Sequence, residues 1–350
     1  MCGGHERVIS MAGLRSALPR NIELIPGPGC PVCVCPEETI YEAIRIARQG
    51  EALVAAFGDM LRVPVNAPRG EPRSLEEAKA AGADVRPVAS PRDAVKLARE
   101  RAGRPVVFFA AGFETTMAPV AAMLGEGVPG NLSLLLAGRL TWPAVSLLLQ
   151  SERPGFDALI APGHVSAVMG SDEWRFVPEQ HGIPAAIAGF TPETMLAALY
   201  SVLRQLIEER SFLDNCYGGV VRARGNEEAR RQIGLALRVV DAPWRGIGNI
   251  PASGLELAPC HAAHDAMLRF PPIDGAARKR CGEMPPGCGC ARVVLGKIAP
   301  DQCPLYARAC TPRKPVGPCM VSEEGACRIW WSAGVREVRA CASEPAQVHG

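Results

Sequence analysis

The sequence has almost no net charge and no long hydrophobic run. Its 350 residues carry a formal net charge of +2 at pH 7, which gives no bulk attraction for a nucleic acid or an anionic membrane. No apolar run approaches the roughly 18–20 residues that a membrane-spanning helix needs. The first residues, Met-Cys-Gly-Gly-His, lack the basic and then apolar pattern of a secretory signal. We therefore expect a cytoplasmic globular protein with no nucleic-acid or membrane partner.

The usual phosphate-binding sequences are also missing. The chain has no G-x-x-x-x-G-K-[ST] sequence, which would cradle a nucleotide phosphate. Gly-Glu-Gly-Val-Pro-Gly at residues 125–130 fits G-x-G-x-x-G. It precedes a strand-like run, however, whereas a dinucleotide-binding loop follows one. The sequence therefore gives no support for nucleotide binding.

Cysteine is abundant, with 14 residues. In the reducing cytosol, dense cysteine indicates metal or redox chemistry more often than a disulfide framework. Two cysteines lie in the middle of the chain, and eight crowd the stretch that begins at Cys281. The other four are near the start: Cys2, Cys30, Cys33 and Cys35. This clustering predicts two cysteine sites rather than a scatter of buried thiols.

Short apolar runs alternate with helical patterns over residues 20–200. The apolar runs are 22–25, 52–57, 106–111, 132–137, 158–161 and 185–188, and the helical patterns are 37–49, 75–81, 91–101 and 191–209. This alternation is typical of parallel sheets covered by helices. It predicts an α/β fold with two parallel-sheet units facing a cleft. After residue 215 prolines and glycines become frequent, which predicts a loop-rich C-terminal region without strands, and its cysteines, rather than this alternation, carry the iron–sulfur assignment. We assign the units to residues 1–90, 91–215 and 216–350, with a hinge region at 70–90.

Unusual loops follow most of these runs, and ligand sites form at such strand ends. Glu114 and His164 are the polar groups best placed there for proton handling. A helix-capping role for the glutamate and a hydrogen-bonded, structural role for the histidine are the open alternatives.

The first cysteine site centres on Cys30-Pro-Val-Cys33. Two thiols at this spacing can share a metal or cycle through a disulfide. The preceding Gly-Pro-Gly lets the backbone approach a ligand closely, and the helix expected near Pro36 favours a thiolate through its dipole. The alternative is half of a structural zinc site. Cys2, beside His5, is either a reactive thiol with a base or an ordinary N-terminal residue.

The second cysteine site lies near the C-terminus. Its best-spaced thiols are Cys303, Cys310, Cys319 and Cys327, and four thiolates are the usual complement of a [4Fe-4S] cluster. A four-cysteine zinc site normally has paired cysteines about two to four residues apart, so the wider gaps favour the cluster. Two further thiols, Cys288 and Cys290, could replace one ligand or be spare.

Several loop sequences occur in one order along the chain. They are CGGH at 2–5, GPGCPVC at 27–33, FGDM at 57–60 with RVP at 62–64, GFETT at 112–116, PGHVS at 162–166, WRGIG at 244–248 and PVGPCMVS at 315–322. Together they resemble the hydrogenase maturation factor HypD family, and the resemblance covers essentially the whole chain.

The resemblance implies a scaffold for the Fe(CN)2CO group of [NiFe]-hydrogenase. Such a scaffold acts with a HypC-like small chaperone and a HypE-like cyanide donor. It implies iron bound by Cys2, Cys30 and Cys33 and cluster ligands among the C-terminal cysteines. Thiolates are soft donors that suit iron carrying cyanide and carbonyl ligands. Cyanide arriving as a thiocyanate needs electrons, which a thiol pair recharged through the cluster would supply. A thiol-disulfide oxidoreductase with a structural metal and a degenerate, partner-binding relative stay open.

The sequence also departs from the family pattern. The family usually has a strand before its Cys-Gly-Gly-His, whereas this sequence begins one residue before Cys2, so we expect the first unit to lack an N-terminal strand. Glu6-Arg7 replaces the usual Thr-His. Cys35 stands where threonine is usual, so a third thiol beside the pair could compete for metal.

Overall fold

The computed structural model describes residues 2–150, 154–272 and 284–337. Its strands are β1 Leu53–Phe57, β2 Val85–Val88, β3 Val106–Gly112, β4 Leu132–Arg139, β5 Leu159–Pro162, β6 Ala185–Ala188, β7 Leu213–Asn215, β8 Leu237–Trp244 and β9 Gly248–Leu257. They form a six-stranded sheet in the order β2-β1-β3-β4-β9-β8 and a three-stranded sheet in the order β5-β6-β7. The two parallel-sheet units of the predicted fold class are therefore present.

Helices cover both sheets and extend into the C-terminal region. They are α1 Gly3–Met11, α2 Leu14–Ala17, α3 Pro31–Val34, α4 Glu37–Gln49, α5 Leu75–Ala80, α6 Pro91–Glu100, α7 Glu114–Gly125, α8 Thr141–Leu149, α9 Gly163–Met169, α10 Phe176–His181, α11 Pro192–Ile207, α12 Glu227–Ala236, α13 Ala266–Arg269, α14 Cys290–Val294 and α15 Ala326–Ser332. None of the helices in the described part of the chain combines the length and apolar character needed to cross a membrane.

The centre of the larger sheet is buried on both faces. Strands β1, β3 and β4 are parallel neighbours, and alternate residues of one strand pack into different cores. Phe109 belongs to the core shared with α4 and the C-terminal region, whereas Phe108 packs with α6 and α7. Because both faces need apolar side chains, these strands are continuous apolar runs, which is why the sequence predicted them.

One predicted strand is absent. Residues 22–25 are an irregular segment, although they form an apolar run. Leu24 packs with Ile9 and Ile160 in the core of the smaller sheet, and its carbonyl accepts a hydrogen bond from Arg15 Nη2 at 3.1 Å. This hydrogen bond from the Arg15 side chain replaces one that a neighbouring strand would donate. The other five predicted runs are strands, and the four predicted helices are α4, α5, α6 and α11.

The prediction that strands disappear after residue 215 is wrong. Strands β8 and β9 form an antiparallel ribbon that joins the larger sheet through the pair Arg139–Gly254. β8 is an edge strand with exposed residues between buried ones, so it lacks a continuous apolar run. Its Pro243 is tolerated because an edge strand can leave a ladder hydrogen bond unmade.

The boundary assigned at residue 90 does not separate the two sheets. β1 and β2 before it, and β3 and β4 after it, pair in the same sheet. The predicted hinge at 70–90 contains α5 and β2. Ser74 caps α5 by accepting a hydrogen bond from Glu77 N. The smaller sheet begins with β5, so the change from one sheet to the other lies between β4 and β5.

Candidate functional site

The C-x-x-C cysteines lie in a buried loop that ends in a short helix. Residues 27–35 form this segment, which we call the thiol loop. Cys30 and Cys33 are joined by a disulfide with their Cα atoms 5.2 Å apart, and both are buried. Pro31 begins α3, and Cys30 Sγ accepts a hydrogen bond from Cys33 N at 3.2 Å. The fold therefore accommodates the Cys30–Cys33 pair in its oxidised form.

Cys2 lies directly against this loop. A Cβ atom added at Gly29 would collide with the Cα and Cβ atoms of Cys2, so only glycine permits this approach. Burial raises the pKa of the Cys2 thiol to about 11, against a smaller lowering from the backbone N–H of His5. The structure thus brings together the three predicted iron-site cysteines. It also keeps Cys2 protonated until a metal or a base removes its proton.

Six cysteines gather in the C-terminal segment, which we call the six-cysteine region. Cys319 N donates to Cys290 Sγ at 3.3 Å, and Cys327 N donates to Cys319 Sγ at 3.5 Å. A Cβ atom at Gly317 would lie 2.5 Å from Cys288 Sγ and 2.7 Å from Cys290 Sγ. The pKa of Cys319 is well below its ordinary value because the thiols of Cys290 and Cys327 donate hydrogen bonds to it. Cys288 and Cys290 are therefore part of this sulfur group rather than remote from it.

The remaining two members adjoin the same group. Gly289 N donates to Cys303 Sγ at 3.3 Å, and Val316 N donates to Cys310 Sγ at 3.3 Å. Both cysteines are buried in the core that also contains Cys319. The four predicted cluster ligands thus share one core, while Cys281 and Cys341 lie outside the described residues.

The six-cysteine region fits a thiolate-bound metal group in its chemistry. Its donors are sulfur atoms in proline-rich loops, backbone N–H groups point at four of them, and Gly317 leaves the space that a side chain would fill. Hydrogen bonds to sulfur are one of the ways in which proteins adjust iron–sulfur groups. In the described part of the chain, no three His, Cys, Asp or Glu side chains already form a coordination shell. The choice of four ligands among six stays a prediction.

The two cysteine sites are neighbours. Cys30 and Cys319 line the same enclosed cavity, whose volume of about 10 Å³ is roughly that of one water molecule. Helix α1 is tied to α15 because Glu6 Oε1 accepts hydrogen bonds from Trp330 Nε1 and Arg15 Nη1, each at 2.7 Å. No local pattern could signal this adjacency, since about 290 positions separate the two cavity-lining cysteines.

Glu114 and His164 occupy strand ends. The contacts of Glu114 favour its helix-capping alternative, whereas the buried Nδ1 of His164 has no hydrogen-bond partner among the described residues. Both oxygens of Glu114 accept hydrogen bonds from Thr141, from N at 2.6 Å and from Oγ1 at 2.7 Å. Glu114 therefore caps α8 from the start of α7, and burial raises its pKa to about 7 against the lowering by Thr141. His164 packs against Phe190 with ring centroids 5.0 Å apart. Burial lowers the pKa of His164 to about 4, so it is neutral at pH 7.

Two arginines that the sequence analysis passed over lie beside Cys35. Burial raises the pKa of the Cys35 thiol to about 12, against lowering by Arg139 and Arg245. Arg245 belongs to the WRGIG loop and pairs with Glu37 at 3.4 Å, with both side chains fully buried. A charged residue within a motif of glycine and apolar residues was the signal available for Arg245.

Comparisons with known proteins match nearly the whole chain. A family model described as "HypD: Hydrogenase formation hypA family" matches residues 1–334. Hydrogenase maturation factor HypD of Escherichia coli is 40% identical over 344 residues, which cover 97% of this chain and 90% of that protein. The same-named proteins of Rhodobacter capsulatus and Cupriavidus necator are 40% and 37% identical over 338 and 343 residues, covering 95% of this chain and 88% of each relative. Since both comparisons extend over almost the full length, this chain belongs to the HypD family of hydrogenase maturation factors.

Proposed function

We propose that this protein is a scaffold on which the Fe(CN)2CO group of [NiFe]-hydrogenase is assembled and from which it is transferred. The observation that carries the proposal is the contact of Cys2 with Gly29, beside the Cys30–Cys33 pair. Three thiols at one buried position are a soft donor set suited to iron that also carries cyanide and carbonyl. The iron group is the cargo, and Cys2, Cys30 and Cys33 are its proposed protein ligands.

The same thiol pair is proposed to supply electrons. Release of cyanide from a protein thiocyanate takes up two electrons and gives one thiolate and one cyanide ion. Oxidation of Cys30 and Cys33 from two thiols to the disulfide provides two electrons and two protons, so the exchange balances for each cyanide. The disulfide in the structure corresponds to the state after such a step. In the disulfide form neither sulfur is a thiolate, so the pair must be reduced before it binds the iron group or supplies electrons again.

The six-cysteine region is proposed as the route for that reduction. Cys303, Cys310, Cys319 and Cys327 would hold a [4Fe-4S] cluster, which supplies single electrons when bound. Cys30 and Cys319 line one cavity, so little protein separates the disulfide from a proposed cluster ligand. The backbone N–H groups that point at sulfur would hold the ligands in place and favour their thiolate form.

The proposed partners follow from the family. A HypC-like small chaperone would provide or receive the iron, and a HypE-like protein would donate cyanide as a thiocyanate. The three diatomic ligands and a partner thiolate would leave two positions on an octahedral iron, so the protein would engage at most two of its three thiols once the group is complete.

A second candidate function is a thiol-disulfide oxidoreductase with a structural metal. The observation that favours it is the disulfide itself, because a C-x-x-C pair at a helix start also suits disulfide exchange. In that case the six-cysteine region would only hold the tail together.

One experiment separates the two functions. The protein is purified anaerobically and incubated with its chaperone and cyanide-donor partners, and infrared spectra are recorded for cyanide and carbonyl bands. We expect these bands in the wild type and a loss of at least tenfold in Cys33→Ser, with Cys260→Ser as the exposed-cysteine control. Efficient reduction of small disulfides without any bands would support the oxidoreductase instead.

A further inference from the structure

Buried positive charge accumulates beside the thiol loop. The Arg139 side chain donates to backbone carbonyls, through Nε and Nη2 to Pro243 O at 3.2 and 2.7 Å and through Nη1 to Gly138 O at 2.7 Å. In the described part of the chain it forms no ion pair with a carboxylate. Arg139 is only 6% exposed, so solvent does little to compensate its charge.

Arg245 is buried more deeply and is only partly satisfied. Its Nη2 group donates to Pro64 O at 2.8 Å and to Glu37 Oε2 at 3.4 Å. Its Nε and Nη1 groups are buried and have no hydrogen-bond partner among the described residues. Glu37 divides its charge further, because it also accepts hydrogen bonds from the backbone and side chain of Asn66. Glu37 thus pairs with Arg245, whereas Arg139 has no carboxylate partner among the described residues, so one of the two buried positive charges is uncompensated.

The excess charge lies between the two cysteine sites. Arg245 N donates to Val34 O at 3.0 Å, which joins Arg245 to the thiol loop. On the other side, a Cβ atom at Gly246 would lie 2.9 Å from the Cβ of Ala291, the residue after Cys290.

We propose that Arg245 is the counter-ion of an anionic metal–thiolate centre in the six-cysteine region, where it makes reduction of that centre easier. A buried charge with unpaired N–H groups is unfavourable unless an opposite charge accompanies it. A cluster held by four thiolates is anionic and becomes more so when it takes up an electron. A fixed cation in a medium of low dielectric constant stabilises the reduced form more than the oxidised form. Arg245 is thus a positioning residue that acts through charge. The inference rests on the proposed function, which supplies the centre.

The reduction potential of the centre tests this role. Wild type, R245Q, R245K and E37Q are purified anaerobically and titrated with dithionite, and the reduced centre is followed by electron paramagnetic resonance. We expect R245Q to lower the reduction equilibrium constant about tenfold, which is a midpoint shift of about 59 mV to more negative values for a one-electron couple. E37Q removes the compensating anion, so its midpoint should move in the opposite direction. R245K keeps the charge and should stay near the wild type.

Matched controls and opposite signs separate charge from packing. R238Q and E256Q remove an ion pair on the neighbouring β8–β9 ribbon whose side chains are 59% and 55% exposed. We expect no shift in these controls, since water screens such charges. If R245Q and E37Q move the midpoint in the same direction, or not at all, the inference is overturned. If R245Q does not fold, the other two variants test the inference: E37Q should move the midpoint to less negative values, and R245K should leave it unchanged. A wild type without iron and sulfide would remove the proposed function and this inference together, whereas an intact centre with unmoved potentials removes the inference alone.

Discussion

At the scale of single residues, the thiol site depends on an absent side chain as much as on its cysteines. Gly29 is not in the left-handed conformation, yet its missing Cβ gives Cys2 the space to reach the loop that carries Cys30. The cooperation of Cys2, Cys30 and Cys33 was predicted from the family resemblance and from the gathering of strand-end loops at one edge of a sheet. Spacing alone could not predict it, because the contact is made by backbone atoms of residues that are far apart in sequence.

Gly29→Ala should therefore separate Cys2 from the disulfide loop. The added methyl group meets backbone and Cβ atoms of Cys2, which cannot rotate away, so we expect a loss of stability of about 1–3 kcal/mol and at least tenfold less iron–cyanide loading. Gly103→Ala is the matched control, since a Cβ atom there meets nothing within 4 Å. Urea unfolding and infrared band intensity measure the two effects. Loading equal to the control would mean that the contact is not needed.

Cys2→Ala tests the thiol itself without adding volume. Because burial holds the Cys2 pKa near 11, we expect the thiol to lose its proton only on binding the iron group, and its removal to abolish cyanide and carbonyl bands. Iron and sulfide held by the six-cysteine region should be unchanged, because Cys2 is not part of that sulfur group. Cys260→Ala, an exposed free thiol, is the control. Undiminished bands in Cys2→Ala would remove it from the site.

At the scale of helices and strands, Glu114 links the two helices α7 and α8. It begins α7 and caps α8 through Thr141, so two helices depend on one buried carboxyl group. Its folded pKa of about 7 lies above the ordinary 4.5. Its contribution to stability is therefore complete below pH 4.5 and is lost as pH rises through about 7.

Glu114→Gln should remove this pH dependence. His5 and His164, whose pKa values burial lowers to about 3 and about 4, act in the opposite sense, since their contribution is lost as pH falls below 6.5. The difference between wild type and Glu114→Gln cancels them. We expect the variant to gain up to roughly 3 kcal/mol on the wild type between pH 4.5 and 7, measured by urea unfolding at several pH values. A difference that does not change with pH would contradict the buried-charge account.

The elements that the sequence predicted well are those with one unambiguous pattern. β3 and β4 are apolar on both faces, and α4 agrees with its predicted limits because Gly50 follows it in the left-handed conformation. The strand predicted at 22–25 is absent because an apolar run can pack in a core without pairing with another strand. The β8–β9 ribbon was missed because an edge strand alternates buried and exposed residues and tolerates proline.

At the scale of the whole molecule, the C-terminal region closes over the N-terminal one. Glu6 of α1 holds Trp330 of α15, and Ser322 Oγ donates to Asp59 Oδ2 at 3.0 Å. The presence of two cysteine sites followed from clustering in the sequence, whereas their adjacency did not, since it arises from these long-range contacts. The uncompensated positive charge near Arg139 and Arg245 could not be predicted from the sequence either, because it depends on which carboxylates the fold places beside these arginines.

The structure of the whole molecule also bears on which cysteines would bind the proposed cluster, because all six cysteines of the six-cysteine region lie together. We predict that Cys303, Cys310, Cys319 and Cys327 bind it and that anaerobic protein contains about four irons with matching sulfide. The double variant Cys303→Ser/Cys310→Ser should lose both, and its unfolding free energy should fall as well, since metal binding to a loop-rich segment is coupled to its folding. Cys288→Ser/Cys290→Ser should keep them, as should the control Cys216→Ser/Cys260→Ser. If the Cys288/Cys290 variant loses its iron while the Cys303/Cys310 variant retains it, the ligand set must be reassigned. Zinc in place of iron in the wild type would remove the cluster altogether.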